Sequence, residues 1–167
     1  MPDPTGSDVA PERTDAVASW VISMDTAAEI AFLAAVFDVH EQPGSRVTTD
    51  DGAIAHVEVE LQGFSLLMFD AAPQWPRTPS HLRVYVDDVR KVVAAAEELG
   101  AVVVTVPTTS PFGDVVARFR DPQGHRWWVH QHVEDIDADT IQQRLADPEH
   151  HRTLDYIEQS LRAEMAN

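Results

Sequence analysis

Asp121-Pro122-Gln123-Gly124-His125-Arg126-Trp127-Trp128-Val129-His130 is the stretch on which the reading of the fold turns. Asp-Pro-x-Gly is turn chemistry, because proline fixes its own φ and glycine accepts the left-handed backbone that a tight turn demands. Residues 126–132 then alternate as a strand. Alternation puts Trp127 and Val129 on one face and Trp128 and His130 on the other. Residues 102–106 and 115–119 read as two strands before it, separated by stretches rich in Pro, Ser and Gly.

Further upstream, residues 81–86 alternate like a strand. Asp88 caps a helix running through Leu99, and Gly100 supplies its C-terminal stop. This half therefore reads strand, helix, strand, strand, strand. The preceding half repeats that order. Residues 16–23 form a strand, and Asp25 or Thr26 caps a helix with Ile30, Leu33, Ala34 and Phe37 at helical spacing. After a turn at Pro43-Gly44 come strands at 46–49, 54–61 and 64–69, joined by Asp50-Asp51-Gly52 and Gln62-Gly63. Pro73, Pro76 and Pro79 make the next segment a linker. Setting Asp25 on Asp88 places Ala18 on His81, and setting Gln62-Gly63 on Gln123-Gly124 places Leu67 on Trp128. Shared order and shared turns point to an internal duplication.

The ends differ from this pattern. Residues 1–15 are rich in Pro, Asp, Thr and Ser without an apolar period, and read as a flexible N-terminus. Residues 136–167 form a helical appendage, with helices expected at 137–146 and 149–163. Its apolar residues Ile141, Leu145, Leu154, Ile157 and Leu161 suit docking on the parent domain or on a second copy.

Composition narrows the function. The 167 residues carry 28 acidic against 12 basic side chains, a formal charge of -16 that repels nucleic acid at long range. With no cysteine, disulfides, thiolate zinc sites and a cysteine nucleophile are excluded, so any metal would need His, Asp or Glu. No apolar run reaches membrane-spanning length and the opening residues lack a secretion signal, so a soluble cytoplasmic protein without membrane partners is expected. Dinucleotide, phosphate-loop, zinc-protease and nucleophile-elbow motifs are absent.

Residues 16–135 resemble the vicinal oxygen chelate superfamily, the glyoxalase and bleomycin-resistance group. The resemblance rests on the 81–89 strand and cap, on Ser110-Pro111-Phe112-Gly113-Asp114, and on the Asp-Pro-x-Gly turn with its strand. Its nearest branch is the glyoxalase-like proteins of phosphonate operons. The implied fold is α+β: two βαβββ modules, at 16–72 and 80–135, forming a curved mixed sheet around a cleft, with helices outside. Strand parity then sends Trp20, His56, Glu58, Leu67, Phe69, His81, Arg83, Tyr85, Trp128 and His130 toward the cleft.

Metal enzymes of the superfamily take ligands from the first and last strands of each module. Those positions here are Ala18, Leu67, His81 and Trp128, and only His81 can ligate. The resemblance thus implies no inherited metal and no other cofactor. A relocated divalent site remains open if His56, Glu58, His81 and His130 converge. The reading that follows is a metal-independent binding protein, a homodimer that sequesters an aromatic or cationic compound between Trp20, Phe69, Tyr85 and Trp128. The ligand-binding set also includes His56, Leu67 and Arg83. The alternative is a lyase, isomerase or dioxygenase using His81, His130 or Glu58 as acid or base. An interaction module acting through the C-terminal helices is a third class.

Overall fold

The computed structural model describes residues 17–166. The flexible segment expected over 1–15, and the expected strand start at Ala16, lie outside the described residues. The first half contains β1 (Ser19–Ser23), α1 (Thr26–Phe37), β2 (His40–Glu41), β3 (Val47–Thr48), β4 (Ile54–Leu61) and β5 (Phe64–Asp70). The second contains β6 (His81–Tyr85), α2 (Val89–Glu98), β7 (Val102–Thr109), β8 (Asp114–Arg120) and β9 (Arg126–His132), followed by α3 (Ala138–Ala146) and α4 (Pro148–Met165).

The strands divide between two mixed sheets of matching topology. One runs β1-β5-β4-β2, with β3 also paired to β4, and the other runs β6-β9-β8-β7. In each, the opening strand lies parallel to the closing one, β1 on β5 and β6 on β9, while the remaining pairs are antiparallel. A helix must therefore cross over between the opening strand and the hairpin strands, and α1 and α2 do so.

Both crossover helices start on an aspartate. Asp25 accepts from the Ala28 amide at 2.9 Å and Asp88 from the Arg90 and Lys91 amides at 3.1 Å each. The helix faces differ. Of the positions expected to be apolar in α1, Ile30 and Leu33 are buried, Phe37 is half-buried and Ala34 is exposed, while Phe32 and Val36 are buried in addition. The extra burial follows from position, because α1 packs on its own sheet and also on the other half. Phe32 meets Phe119 edge-on at 6.1 Å, and Phe37 lies 4.8 Å from the Trp127 ring. One continuous hydrophobic core results, running from Val21 and Leu33 to Phe119, Trp127 and Val129.

The Asp-Pro-x-Gly turn clamps the two halves. Asp121 accepts from the Gly124 and His125 amides and, at 2.8 Å, from the buried Trp127 indole. His125 Nδ1 accepts from the Ser80 amide at 3.1 Å, so the neutral ring carries its proton on Nε2 and donates to Ser23 Oγ at 3.0 Å. Burial lowers the His125 pKa and supports that neutral state. Ser23 belongs to β1 and His125 to the β8–β9 turn, so this bond ties one half to the other.

The appended helices dock on the second sheet. Tyr156 Oη accepts from the Val106 amide at 3.1 Å, and Ser160 Oγ lies 2.8 Å from Thr105 Oγ1. β7 runs beyond the expected 102–106, continuing to Thr109 through part of the Pro- and Ser-rich stretch read as a break.

Candidate functional site

The residue types fix which side chains face away from the helices. Val57 and Val59 are fully buried, leaving His56 and Glu58 on the opposite face of β4. Val21 and Ser23 are buried while Trp20 is half exposed, and Leu66 and Met68 are buried beneath Leu67 and Phe69. In the second sheet Val84, Trp127 and Val129 face the core, so His81, Arg83, Tyr85, Trp128 and His130 face away from it. Each expected cleft residue therefore sits on the side that strand parity assigns to it.

These residues form two groups. In the first half, the Trp20 ring lies edge-on to Phe69 at 5.3 Å and to His56 at 5.9 Å, and His56 Nε2 lies 3.4 Å from Glu58 Oε1. Trp75, from the proline-rich linker, extends this wall by meeting Phe69 at 6.1 Å. Linker composition concealed it, since isolated aromatics between prolines carry no period.

The second group centres on Asp114. His130 Nδ1 and His132 Nδ1 each lie 3.1 Å from its carboxylate, Tyr85 Oη donates to it at 3.5 Å, and Arg83 stands 3.7 Å away. Arg83 also lies over the Tyr85 ring at 4.7 Å. Burial lowers the His130 pKa, with the Arg83 charge in the same direction, while the Asp114 hydrogen bond opposes it. His132 is raised by its bonds to Asp114 and Asp135. The two histidines hold Asp114 below the ordinary carboxylate range despite its partial burial. A carboxylate that orients a half-buried imidazole is an arrangement suited to proton transfer or to gripping a polar ligand.

Trp128 has a different setting from the one expected. Its indole face is covered by the Arg118 guanidinium, whose carbon lies 3.9 Å from the ring centroid. A free stacking surface at Trp128 is thus corrected to a cation–π pair. The cause lies in register: Arg118 on β8 stands directly opposite Trp128 on β9. A cavity of about 430 Å³ lies beside β1, β5 and β6, and it takes in Ala18, Ser65, His81, Arg83 and Tyr85 from the cleft-side positions. Trp20, His56, Glu58, Leu67, Phe69, Trp128 and His130 do not line it.

Metal chemistry is poorly matched to these residues. Of the positions corresponding to superfamily ligands, Ala18, Leu67 and Trp128 have no metal-binding lone pair of the required kind. Among the described residues no three His, Asp or Glu side chains are grouped to hold an ion. Of the four residues whose convergence the sequence leaves open, His56 and Glu58 on β4 stand by Trp20 of β1, His130 stands by Asp114, and His81 opposes Arg126, where burial and the Arg126 charge lower its pKa.

Comparison with known proteins agrees with this architecture. A family model described as a glyoxalase-like domain matches residues 19–130. An uncharacterised protein of Mycobacterium bovis is 30% identical over 133 residues, covering 73% of this chain and 86% of that protein. Among solved structures, TioX from Micromonospora sp. ML1 is similar with a TM-score of 0.57 at 20% identity, covering 70% of this chain and 98% of that one. The fosfomycin resistance protein FosX from Listeria monocytogenes, complexed with Mn(II) and sulfate, gives 0.55 at 14% identity, covering 74% and 95%. The PhnB protein from Bacillus cereus gives 0.56 at 17%, covering 70% and 99%. With the match spanning both modules and the turn before β9, the chain belongs to the glyoxalase-like family of the vicinal oxygen chelate superfamily.

Proposed function

We propose that this protein binds a small aromatic molecule without a metal and returns it chemically unchanged. The observation that carries the reading is the substitution of Ala18, Leu67 and Trp128 at three of the four ligand positions of the superfamily's metal enzymes. What stands on that side of the sheets is an aromatic wall of Trp20, Phe69 and Trp75 facing solvent. Stacking on such a wall contributes about 0.5–1.5 kcal/mol per ring pair beyond burial. A cationic ligand has less support, because Arg83, Arg118, Arg120 and Arg126 share the corresponding face of the second sheet.

The deciding experiment is metal analysis by mass spectrometry of protein purified without a histidine tag, before and after exposure to zinc, iron, nickel and manganese. Substoichiometric metal throughout is expected. Stoichiometric metal that disappears in His81→Ala would overturn the reading. The proposal includes a cytoplasmic homodimer, and a monomer mass by sedimentation equilibrium would remove that part.

A second reading, acid–base catalysis, is favoured by one feature: the Asp114–His130 pair at 3.1 Å. It predicts a substrate whose turnover is lost in His130→Ala with binding retained. Unaltered turnover in that variant would rule it out.

A further inference from the structure

The second sheet gathers its cations on the face away from α1 and α2. Arg83, Trp128 and Arg118 stand opposite one another across β6, β9 and β8, and the neighbouring row is His81, Arg126 and Arg120. Four of the chain's 12 basic residues therefore share one patch in a molecule carrying 28 acidic ones.

Arg118 is the telling member. Its Nη1 donates to Thr105 Oγ1 at 3.2 Å and to the Ile157 carbonyl at 2.7 Å, both neutral acceptors. Its Nε is buried without an acceptor among the described residues, and so is Nε1 of Trp128, the ring on which Arg118 lies. Two touching side chains thus present buried donors that lack an acceptor, an arrangement that folded proteins rarely keep without a purpose. The adjacent row has its acceptor. Glu164 Oε1, on α4, lies 2.9 Å from Arg120 Nε and 3.2 Å from Arg126 Nε.

We propose that the face beneath α4 is a binding site for an aromatic oxyanion, a carboxylate or phosphonate, to which Arg118 and Trp128 donate, and that Glu164 is the internal carboxylate the ligand displaces. The inference rests on the proposed small-molecule function and adds the ligand's charge and the cover it must move. The helix is built for displacement. No residue of α4 is fully buried, and its ties to the sheet include exchangeable polar contacts at Tyr156, Ile157, Ser160 and Glu164. A ligand anion replaces Glu164 acceptor for acceptor, and also supplies the acceptor that Arg118 Nε and Trp128 Nε1 lack.

The test is calorimetric titration of the full chain with phenylphosphonate, benzoate and the uncharged benzamide, alongside the indole N–H resonance of Trp128, assigned through Trp128→Phe. At least one anion is expected to bind, to shift that resonance, and to outcompete benzamide. Glu164→Gln should tighten anion binding, and Arg118→Gln should weaken it on the order of tenfold, the loss of one charge-assisted hydrogen bond. If Arg118→Gln fails to fold, the Trp128 resonance in the wild type and in Glu164→Gln decides. Equal binding of benzamide and the anions would overturn the charge assignment while leaving small-molecule binding intact. Anion binding that leaves the Trp128 resonance and the Glu164→Gln affinity unchanged would overturn the site, and no anion binding by either protein would overturn the inference entirely.

Discussion

Glu29 lies on α1 with no exposed surface, beside the Asp121 carboxylate, to which its protonated form donates a hydrogen bond. Burial, with the Asp121 charge nearby, pushes its pKa up to about 9 from an ordinary 4.5. The folded state thus holds a proton that the unfolded chain releases. Glu29 favours folding below its unfolded pKa, and that contribution is lost as the pH rises through the folded value. Glu29→Gln should therefore raise the melting temperature at pH 8 by several degrees, at about 2–4 °C per kcal/mol for a chain of this size. Melts at pH 5 should show the difference closing. Asp114 supplies a second test. Its hydrogen bond and charge raise the His130 pKa against burial, so Asp114→Asn should move the His130 titration, followed by NMR, to lower pH. Single residues were unevenly legible in the sequence. Strand parity was enough to orient His56, Glu58 and Trp128, because the alternation is set by the backbone. Placing Arg118 over Trp128 needed the β8–β9 register as well as parity, and Glu164 reaching Arg120 depends on how the distant α4 docks.

Among the elements, β4 and β9 begin and end where alternation and flanking turns place them. β7 runs past its expected end because Pro107 reads as a break. The strand tolerates it as the edge of its sheet, where a missing donor costs no ladder bond, and its register slips between Thr105 and Thr108. β2 left no signature, being two polar residues held by pairing to β4. The helix caps were legible, and Asp88→Ala should cost about 1 kcal/mol of stability, measured by urea denaturation. Gly113 is more exacting. It has φ +85°, and a Cβ there would stand 2.2 Å from the Glu134 carbonyl oxygen, so even alanine must displace backbone. Its own carbonyl accepts from the Val133 and Glu134 amides. Gly113→Ala should lose about 2 kcal/mol or more through strain and the shifted segment, and a small loss in the same denaturation assay would show that this segment yields easily.

For the whole molecule, duplication was readable from the repeated order of elements, whereas the sharing of one core was not. Phe32 and Phe37 look like ordinary positions on an amphipathic helix until they are found against Phe119 and Trp127. Among the described residues no helix is long and apolar enough to cross a membrane. The engagement of α1 with the second sheet makes the halves partners rather than beads on a string. Severing the backbone within the 73–79 linker should therefore leave two pieces that travel together on a sizing column and melt as one. Each half made alone would leave large aromatic surface in water, and mixing the two should restore the parent's circular dichroism. Continuity of the chain across the midpoint then serves assembly speed, while cohesion belongs to the phenylalanines of a helix that begins in one half and finishes its packing in the other.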